Sequence, residues 1–462
     1  MLKKILKNKP YYAAMLAIAV PVSVQSLFQA SLSVVDQYMV GTLGENAIAT
    51  VGLGSRVSFI FLVTIAAIAS TASILISQYW GKKDLGKVGS SLGGTMLWGA
   101  VVTAVFLIPS LALSKEILGI FTTDVNIIGP GSTYLRIIAS GYVPMLLIAL
   151  YSAVLRSTGH VKSTMYAGLL AVVMNTIINY VLIFGKLGFP QLGVYGTAYA
   201  TTITRFIEAG LLLGFVYINK YPGAFKIKEL FDISTPFMKK IFAITSPMLI
   251  NEFLWALGET TYSIIYGRIG TAQVAAMTLT YPIQTLSIGL FTGVGSAAGI
   301  MIGNKLGACE NDEAFSYSKK FVKMALTGSM IFGAILFVCS NLYISKFNVS
   351  DDVKDTTFKL LTVFSIALCI KVSNMIIGGG VLRSGGKTKY TLYLDMFGTW
   401  GIGVPAGFIT AFLLKLPIHW VYLFICSEEF VRFVIGLKLM YSKRWMENLT
   451  DEGQEDGQLQ SV

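Results

Sequence analysis

Asp36 is the only charged residue in the apolar stretch from Pro21 to Gly44. A charge inside a membrane span costs about 2.5–3.5 kcal/mol on insertion scales, so it is retained mainly where it faces a cavity or a partner. Pro21 removes one backbone hydrogen bond and permits a kink, so we expect it to act as a hinge. An acid beyond a hinge predicts a proton- or cation-binding site on a moving helix. A buried aspartate capped by neighbouring donors is the alternative.

A second set of charged residues lies in apolar segments of the other half of the chain. Glu252 and Glu259 follow Pro247, a second predicted hinge, and their seven-residue spacing puts both on one helix face. Glu252 and Lys371 both lie about 15 Å from the cytoplasmic ends of their spans, at 1.5 Å per residue. Burying either charge without a partner costs free energy, so the matching depth predicts a Glu252–Lys371 ion pair. Whether that pair is structural or functional stays open.

Other charges in apolar segments have simpler interpretations. Asp395 lies a few residues inside its span, close enough to the cytoplasmic side to be half solvated, and is a secondary candidate together with Glu259. Glu429 and Arg432 are three residues apart, a spacing typical of a structural pair within one helix. Arg205 and Glu208 have the same spacing and the same interpretation.

These residues must be positioned by membrane helices. The chain of 462 residues is 54% hydrophobic and only 13% charged, about half the charge of a soluble protein, so it is predicted to be an all-α polytopic membrane protein. Twelve apolar spans of about 20 residues are expected. They cover roughly 12–40, 48–79, 91–114, 133–154, 165–184, 194–218, 241–266, 274–303, 316–341, 357–381, 391–414 and 417–440.

The twelve spans divide into two groups of six. The predicted domains are an N-lobe (1–218), a cytoplasmic linker (219–240), a C-lobe (241–450) and a disordered cytoplasmic tail (451–462). The tail is expected to be disordered because it is polar and has few apolar residues to bury.

The net charge of +12 would suit nucleic-acid binding, but the basic residues lie in short loops between apolar spans. One alternating set of loops and ends carries 23 Lys and Arg, and the other carries 8. The positive-inside rule therefore predicts cytoplasmic termini in an inner or plasma membrane, and no nucleic-acid partner. Four widely spaced cysteines and two histidines form no metal-ligand or redox motif, so no metal site and no cofactor are expected.

The two halves of the chain are repeats of each other. At a shift of 226 residues, prolines, glycines and one amide coincide, and at a shift of 227 LRSTGHVK (155–162) matches LRSGGKTK (382–389). Two six-span bundles in the same orientation predict a substrate site at their interface. Gln78 and Asn304, which coincide in this way, are secondary candidate site residues. The other coinciding pairs are Pro21 and Pro247, Gly41 and Gly267, Gly44 and Gly270, and Gly81 and Gly307.

Several motifs occur in the order and spacing of one known family. They are DxxxVGxLG from Asp36, SQYWGKKD (77–84), LRSTG (155–159), NTIINYVLIFG (175–185), LGVYGTAYATTITR (192–205), GNKLGA (303–308) and LRSGGKTK. With these motifs the chain, from about residue 12 to 450, resembles the multidrug and toxic compound extrusion (MATE) transporters.

The resemblance implies a V-shaped, two-lobe transporter of twelve helices that exports amphipathic, often cationic compounds in exchange for protons or sodium, working as a monomer. It implies an N-lobe pocket of Asp36, Asn175, Asn179 and Thr201. Asn179 stands where some members have aspartate, so the pocket has less anionic charge and protons are favoured over sodium. Lys371 lies where some members have a cation-binding acid.

Two other functions fit a polytopic membrane protein. A lipid-linked saccharide flippase of the same wider superfamily would be expected to have more basic residues in its cavity and additional spans. A membrane-embedded enzyme would need reactive groups, and the sequence has no histidine-rich cluster, no Ser/His/Asp set and no phosphate-binding glycine loop. An ion-coupled exporter with small organic substrates is therefore the leading prediction.

Overall fold

The computed structural model describes residues 9–225, 233–347 and 349–451, and these residues form helices and connecting loops without a strand. The predicted linker lies partly, and the tail almost entirely, outside the described residues. The helices are α1 (Lys9–Gly41), α2 (Glu45–Gly81), α3 (Leu85–Ala112), α4 (Ser114–Gly119), α5 (Val125–Ala139), α6 (Tyr142–Ser157), α7 (Val161–Phe184), α8 (Val194–Ile218), α9 (Thr235–Ile269), α10 (Thr271–Gly307), α11 (Asn311–Ile344), α12 (Asp351–Leu382), α13 (Thr388–Leu413) and α14 (Ile418–Tyr441).

Each of the twelve predicted spans corresponds to a helix or a helix pair, which confirms the fold class. Ten described helices are long and apolar enough to cross a membrane, and α5 with α6 forms an eleventh span with a bend of 42°. The twelfth is α14, whose 24 residues suffice to cross a hydrocarbon layer of about 30 Å. Its charged residues lower its mean hydropathy, and they are the residues that form a buried ionic network described below.

The repeat is visible in the backbone at the ends of matching helices. Gly44 and Gly270 precede α2 and α10 with φ of 97° and 159°, a region that glycine enters without steric cost. Lys83 and Cys309, which follow the same two helices at the same shift of 226, both adopt left-handed φ angles, 64° and 61°. Two chemically unlike residues therefore share one strained turn, which indicates that the repeat conserves geometry beyond its glycines.

The chain packs as two compact units. One contains the described residues up to Ser23 and from Ser246 onward, and we call it the C-lobe unit; the N-lobe unit runs from Val24 to Thr245. The division therefore falls inside the continuous helices α1 and α9 and not at the ends of the predicted lobes. In both helices it lies within a few residues of a proline, Pro21 or Pro247.

Part of α1 belongs to the C-lobe unit because of close contacts with α10. The hydroxyl of Ser23 donates a hydrogen bond to the carbonyl oxygen of Leu290 (2.6 Å). A Cβ atom at Gly293 would collide with the carbonyl oxygen of Ala19, so glycine is what permits this approach. Both packing and a hydrogen bond thus hold the first turns of α1 to this unit.

Candidate ion and substrate sites

The N-lobe unit brings together three of the four predicted pocket residues. Asp36 lies on α1, and Asn175 and Asn179 lie one turn apart on α7. The Nδ2 atom of Asn179 donates to Oδ1 of Asp36 (2.8 Å) and to Oδ1 of Asn175 (2.9 Å). Both asparagines are buried, with 4% and 1% of their surface exposed, and Asp36 is half-buried. This is a small cluster of side-chain oxygens with one formal negative charge.

Thr201, the fourth predicted residue, is half-buried on α8, and its hydroxyl makes no hydrogen bond within the described part of the chain. One turn further on, Arg205 makes a salt bridge with Glu208 (2.9 Å), which confirms the predicted intrahelical pair. The buried carboxylate of Glu208 partly offsets the positive charge of Arg205, which also acts electrostatically on Asp36. Asp36 has one amide partner, Asn179, and no salt bridge of its own among the described residues.

The amide oxygen of Asn179 has no hydrogen-bond donor within the described residues, although the side chain is buried. Burying a hydrogen-bond acceptor without a donor costs free energy, so a donor or cation bound beside this oxygen would stabilise the site. A proton on Asp36, a cationic nitrogen of a substrate or a small metal ion would each supply that missing partner. With a single carboxylate, the site has less anionic charge than a tight sodium site normally uses.

The predicted Glu252–Lys371 ion pair is wrong. Glu252 pairs with Arg383 (3.3 Å), and Lys371 pairs with Glu429 (3.4 Å). Counting residues from the ends of two membrane spans gives comparable depths only if both ends lie at the same depth in the membrane. Instead, Glu252 lies beside Arg383, about 18 Å further along α12 than Lys371 at 1.5 Å per residue. Depth along a helix does not determine which neighbour a side chain meets.

Lys371 belongs to a buried network in the C-lobe unit centred on Arg432. The guanidinium of Arg432 contacts the carboxylates of Asp395, Glu429 (3.6 Å) and Glu428 (3.9 Å). The Glu429–Arg432 spacing was predicted as an isolated intrahelical pair, and the pair is confirmed but not isolated. Asp395 was expected to be half solvated, whereas only 17% of its side chain is exposed. Two cations and three carboxylates thus meet inside one bundle.

Neutral side chains complete this C-lobe network. The amide of Asn251 donates to Asp395 (2.9 Å), the amide of Asn374 donates to Glu429 (2.7 Å), and the hydroxyl of Tyr262 donates to Glu428 (2.7 Å). The C-lobe network, as named here, consists of Asn251, Tyr262, Lys371, Asn374, Asp395, Glu428, Glu429 and Arg432.

The remaining candidates lie outside both clusters. Glu259 is exposed on α9, and its carboxylate makes no hydrogen bond or ion pair within the described residues, although its charge acts on Lys371, Glu429 and Arg432 of the neighbouring network. Gln78 and Asn304 lie in the last turns of α2 and α10. Their backbone carbonyl oxygens accept hydrogen bonds from backbone N–H groups that follow each helix. Pro21 and Pro247 lie inside continuous helices.

Sequence reasoning gave no role to Tyr262 and Glu428, and the repeat could have identified them. At the shift of 226, Asp36 corresponds to Tyr262, and at the shift of 227, Thr201 corresponds to Glu428. The same shift of 227 matches Arg205 with Arg432. The pocket positions of one half therefore predict the polar positions of the other, with different residue types.

Comparisons with known proteins agree with this architecture. The MatE family model matches residues 21–181 and 247–409, one match in each repeat. A relative described as an uncharacterized transporter, YisQ of Bacillus subtilis (strain 168), is 26% identical over 424 residues, covering 89% of this chain and 90% of its own. A probable multidrug resistance protein, NorM of Thermotoga maritima, is 24% identical and covers 93% of this chain and 92% of its own.

Solved structures share the fold. A MATE protein crystallised in complex with MaL6 superposes with a TM-score of 0.86 at 18% identity, covering 93% of this chain and 95% of that one. A multidrug resistance MATE family transporter of the MOP superfamily in an outward-facing conformation gives 0.85 at 18% identity, with the same coverage. At these identities the likeness establishes the fold alone.

Twelve membrane helices in two repeats, with buried ionisable groups in each, define a multi-pass membrane transporter. The chain belongs to the MatE family. The alternative of a membrane-embedded enzyme is thereby excluded, since members of this family are transporters.

Proposed function

We propose that the protein is a proton-coupled exporter of small amphipathic, often cationic organic compounds. It works as a monomer in the inner or plasma membrane, with both termini cytoplasmic, as the distribution of Lys and Arg among its loops favours. Relatives described as multidrug resistance proteins support the substrate class.

The observation that carries the choice of ion is the Asp36–Asn179 hydrogen bond. A single carboxylate that accepts one hydrogen bond, from Asn179, can alternate between a charged and a neutral state, and its half-buried position lets either a proton or a cationic substrate reach it. When Asp36 is ionised, it attracts a cationic compound; when it takes up a proton, that attraction is lost and the compound is released. Because both ligands use the same oxygen atoms, entry of one favours exit of the other.

The experiment is transport of ethidium in proteoliposomes with proton and sodium gradients imposed separately. We expect a proton gradient alone to drive export and a sodium gradient alone not to. Asp36→Asn keeps the acceptor oxygen for Asn179 and removes the charge, so it should insert normally and lose at least tenfold in rate. Glu45→Gln, which neutralises an exposed acid of the same unit, is the matched control. An Asp36→Asn protein that exports at the wild-type rate would contradict the proposal.

A further inference from the structure

We propose that the Tyr262–Glu428 pair of the C-lobe network is a second proton-binding site, in which Glu428 takes up and releases the proton. This inference rests on the proposed function for its role in transport. The site itself is argued from contacts inside the C-lobe unit alone, so it can be tested without a transport assay.

The pair occupies the same places in its repeat as the pocket residues of the N-lobe unit. Tyr262 corresponds to Asp36, and Glu428 corresponds to Thr201. In the first repeat the carboxylate is on α1 and the hydroxyl on α8; in the second the hydroxyl is on α9 and the carboxylate on α14. Each lobe therefore carries one acid on one of two equivalent helices, the first of the pair in the N-lobe unit and the second in the C-lobe unit.

Charge balance singles out Glu428 within the network. Arg432 is closest to Asp395, and Lys371 contacts Glu429, so each of these cations has a nearer carboxylate than Glu428. Within the described residues the only cation that contacts Glu428 is Arg432, at 3.9 Å, and the side chain of Glu428 is only 7% exposed. Asp395, Glu428 and Glu429 outnumber these two cations, and Glu259 adds a further carboxylate whose charge acts on Lys371 and Arg432. A proton on Glu428 removes one of the excess negative charges.

Groups from every neighbouring helix face this site. Tyr262 and, further out, Glu259 come from α9, and Lys371 comes from α12. Asp395 comes from α13, and the hydroxyl of Tyr262 holds one carboxylate oxygen of Glu428 at 2.7 Å. On α14 itself the charged and titratable neighbours are Tyr422, Cys426, Glu429 and Arg432. A hydronium ion can transfer a proton to the other oxygen, Oε1, which lies 3.9 Å from Nη1 of Arg432. The transfer forms one O–H bond, releases water and leaves the Tyr262 hydrogen bond in place.

The backbone of α13 is shaped to leave room for the pair. A Cβ atom at Gly403 would collide with both the hydroxyl of Tyr262 and Oε2 of Glu428, and one at Gly398 would collide with the side chain of Arg432. Both glycines lie in a π-helical segment, Phe397–Gly403, which interrupts α13 beside the network. Such segments are rare and occur frequently at functional sites, since they cost regular helix hydrogen bonding.

Two buried amide oxygens point to a ligand that donates hydrogen bonds. The Oδ1 atoms of Asn251 and Asn374 have no donor within the described residues, although these side chains are only 4% and 7% exposed. Their amide groups already donate to Asp395 and Glu429. Nε of Arg432 is a buried donor without an acceptor among the same described residues. The network is therefore incompletely paired, and a proton on Glu428 adds one donor to it.

The experiment is infrared difference spectroscopy of the purified protein between neutral and acid pH, which detects the C=O band of a protonated carboxylic acid. We expect a buried-acid band that disappears in Glu428→Gln and persists in Asp36→Asn. Tyr262→Phe should shift the band, because the carboxyl group loses a hydrogen bond. Asp355→Asn, in a surface pair with Lys359, is the control and should leave the band unchanged.

A buried-acid band that persists unchanged in both Glu428→Gln and Tyr262→Phe would overturn the proposal. If Glu428→Gln does not fold, the Tyr262→Phe spectrum decides by itself: a shifted band supports the site, and an unshifted one refutes it. Failure of the proposed function is distinguishable, because it would show as unimpaired ethidium export by Asp36→Asn while the infrared assignment stands.

Discussion

The pairing of charges in the C-lobe unit can be tested by double-mutant cycles. The structure pairs Lys371 with Glu429 and Arg383 with Glu252, whereas depth along the helices predicted Lys371 with Glu252. The perturbations are Lys371→Met, Arg383→Met, Glu429→Gln and Glu252→Gln, each of which removes a charge and keeps most of the side-chain volume. Three double variants then separate the two observed pairs from the predicted one.

The expected magnitudes follow from what each variant leaves behind. Breaking a buried pair on one side costs about 3–5 kcal/mol when the remaining charge is uncompensated. After Lys371→Met, however, Glu429 keeps Arg432 at 3.6 Å and the amide of Asn374 at 2.7 Å, so we expect a loss of about 2 kcal/mol. Glu252 has no second cation within the described residues but is partly exposed, and a loss of about 1–2 kcal/mol follows for Arg383→Met.

The interaction energies are the decisive quantities. Polar couplings between membrane helices average about 0.6 kcal/mol and reach about 1.7 kcal/mol, so we expect a coupling between about 0.6 and 1.7 kcal/mol for each observed pair. The crossed combination of Lys371→Met with Glu252→Gln should be additive within about 0.5 kcal/mol. Free energies of unfolding in mixed detergent micelles provide the measurement. A coupling in the crossed cycle with additivity in the other two would refute the observed pairing.

Two further changes test the N-lobe site and the predicted hinge. Asn179→Asp places a second carboxylate beside Asp36, so we expect a sodium gradient to drive ethidium export in this variant. Asn179→Thr adds no charge and should not respond to sodium. Equal responses of the two variants would count against the charge argument. Pro21→Ala restores a helix hydrogen bond and should slow export and straighten α1. Distances between spin labels on α1 and α2, measured at acid and neutral pH, report whether α1 straightens. Pro109→Ala in α3 is the control. Export rates and distances that stay unchanged in Pro21→Ala would refute the hinge hypothesis.

The N-lobe cluster could be predicted from the sequence because its residues lie in motifs that occur together in one family. The hydrogen bond between Asn179 and Asp36 confirms that the motif residues meet. Thr201 was assigned by the same motifs, but its hydroxyl makes no hydrogen bond with Asp36, Asn175 or Asn179 in the described residues. A motif identifies which residues are near a site, while the side-chain partners depend on how each helix is rotated about its axis.

The C-lobe network is where reasoning from sequence failed. Its members come from four helices, α9, α12, α13 and α14, and no two of the paired charges on different helices are related by a recognisable spacing. The Glu429–Arg432 spacing indicated only a local pair. Glu428, one residue earlier on the same helix, has its hydroxyl partner on α9, 166 positions away in the chain. A periodic pattern carries no information about such a contact.

By itself the sequence determined the membrane spans, the repeat and the turns between helices. Burial of apolar side chains in lipid is a local property of about 20 consecutive residues, and glycines such as Gly44 and Gly270 act through their own backbone angles. Only the tertiary structure decided the partner of each buried charge, because that choice depends on the level and rotation of helices distant in the chain. Buried charges must be paired, but the energy that enforces pairing is satisfied by whichever opposite charge the packing brings within about 4 Å.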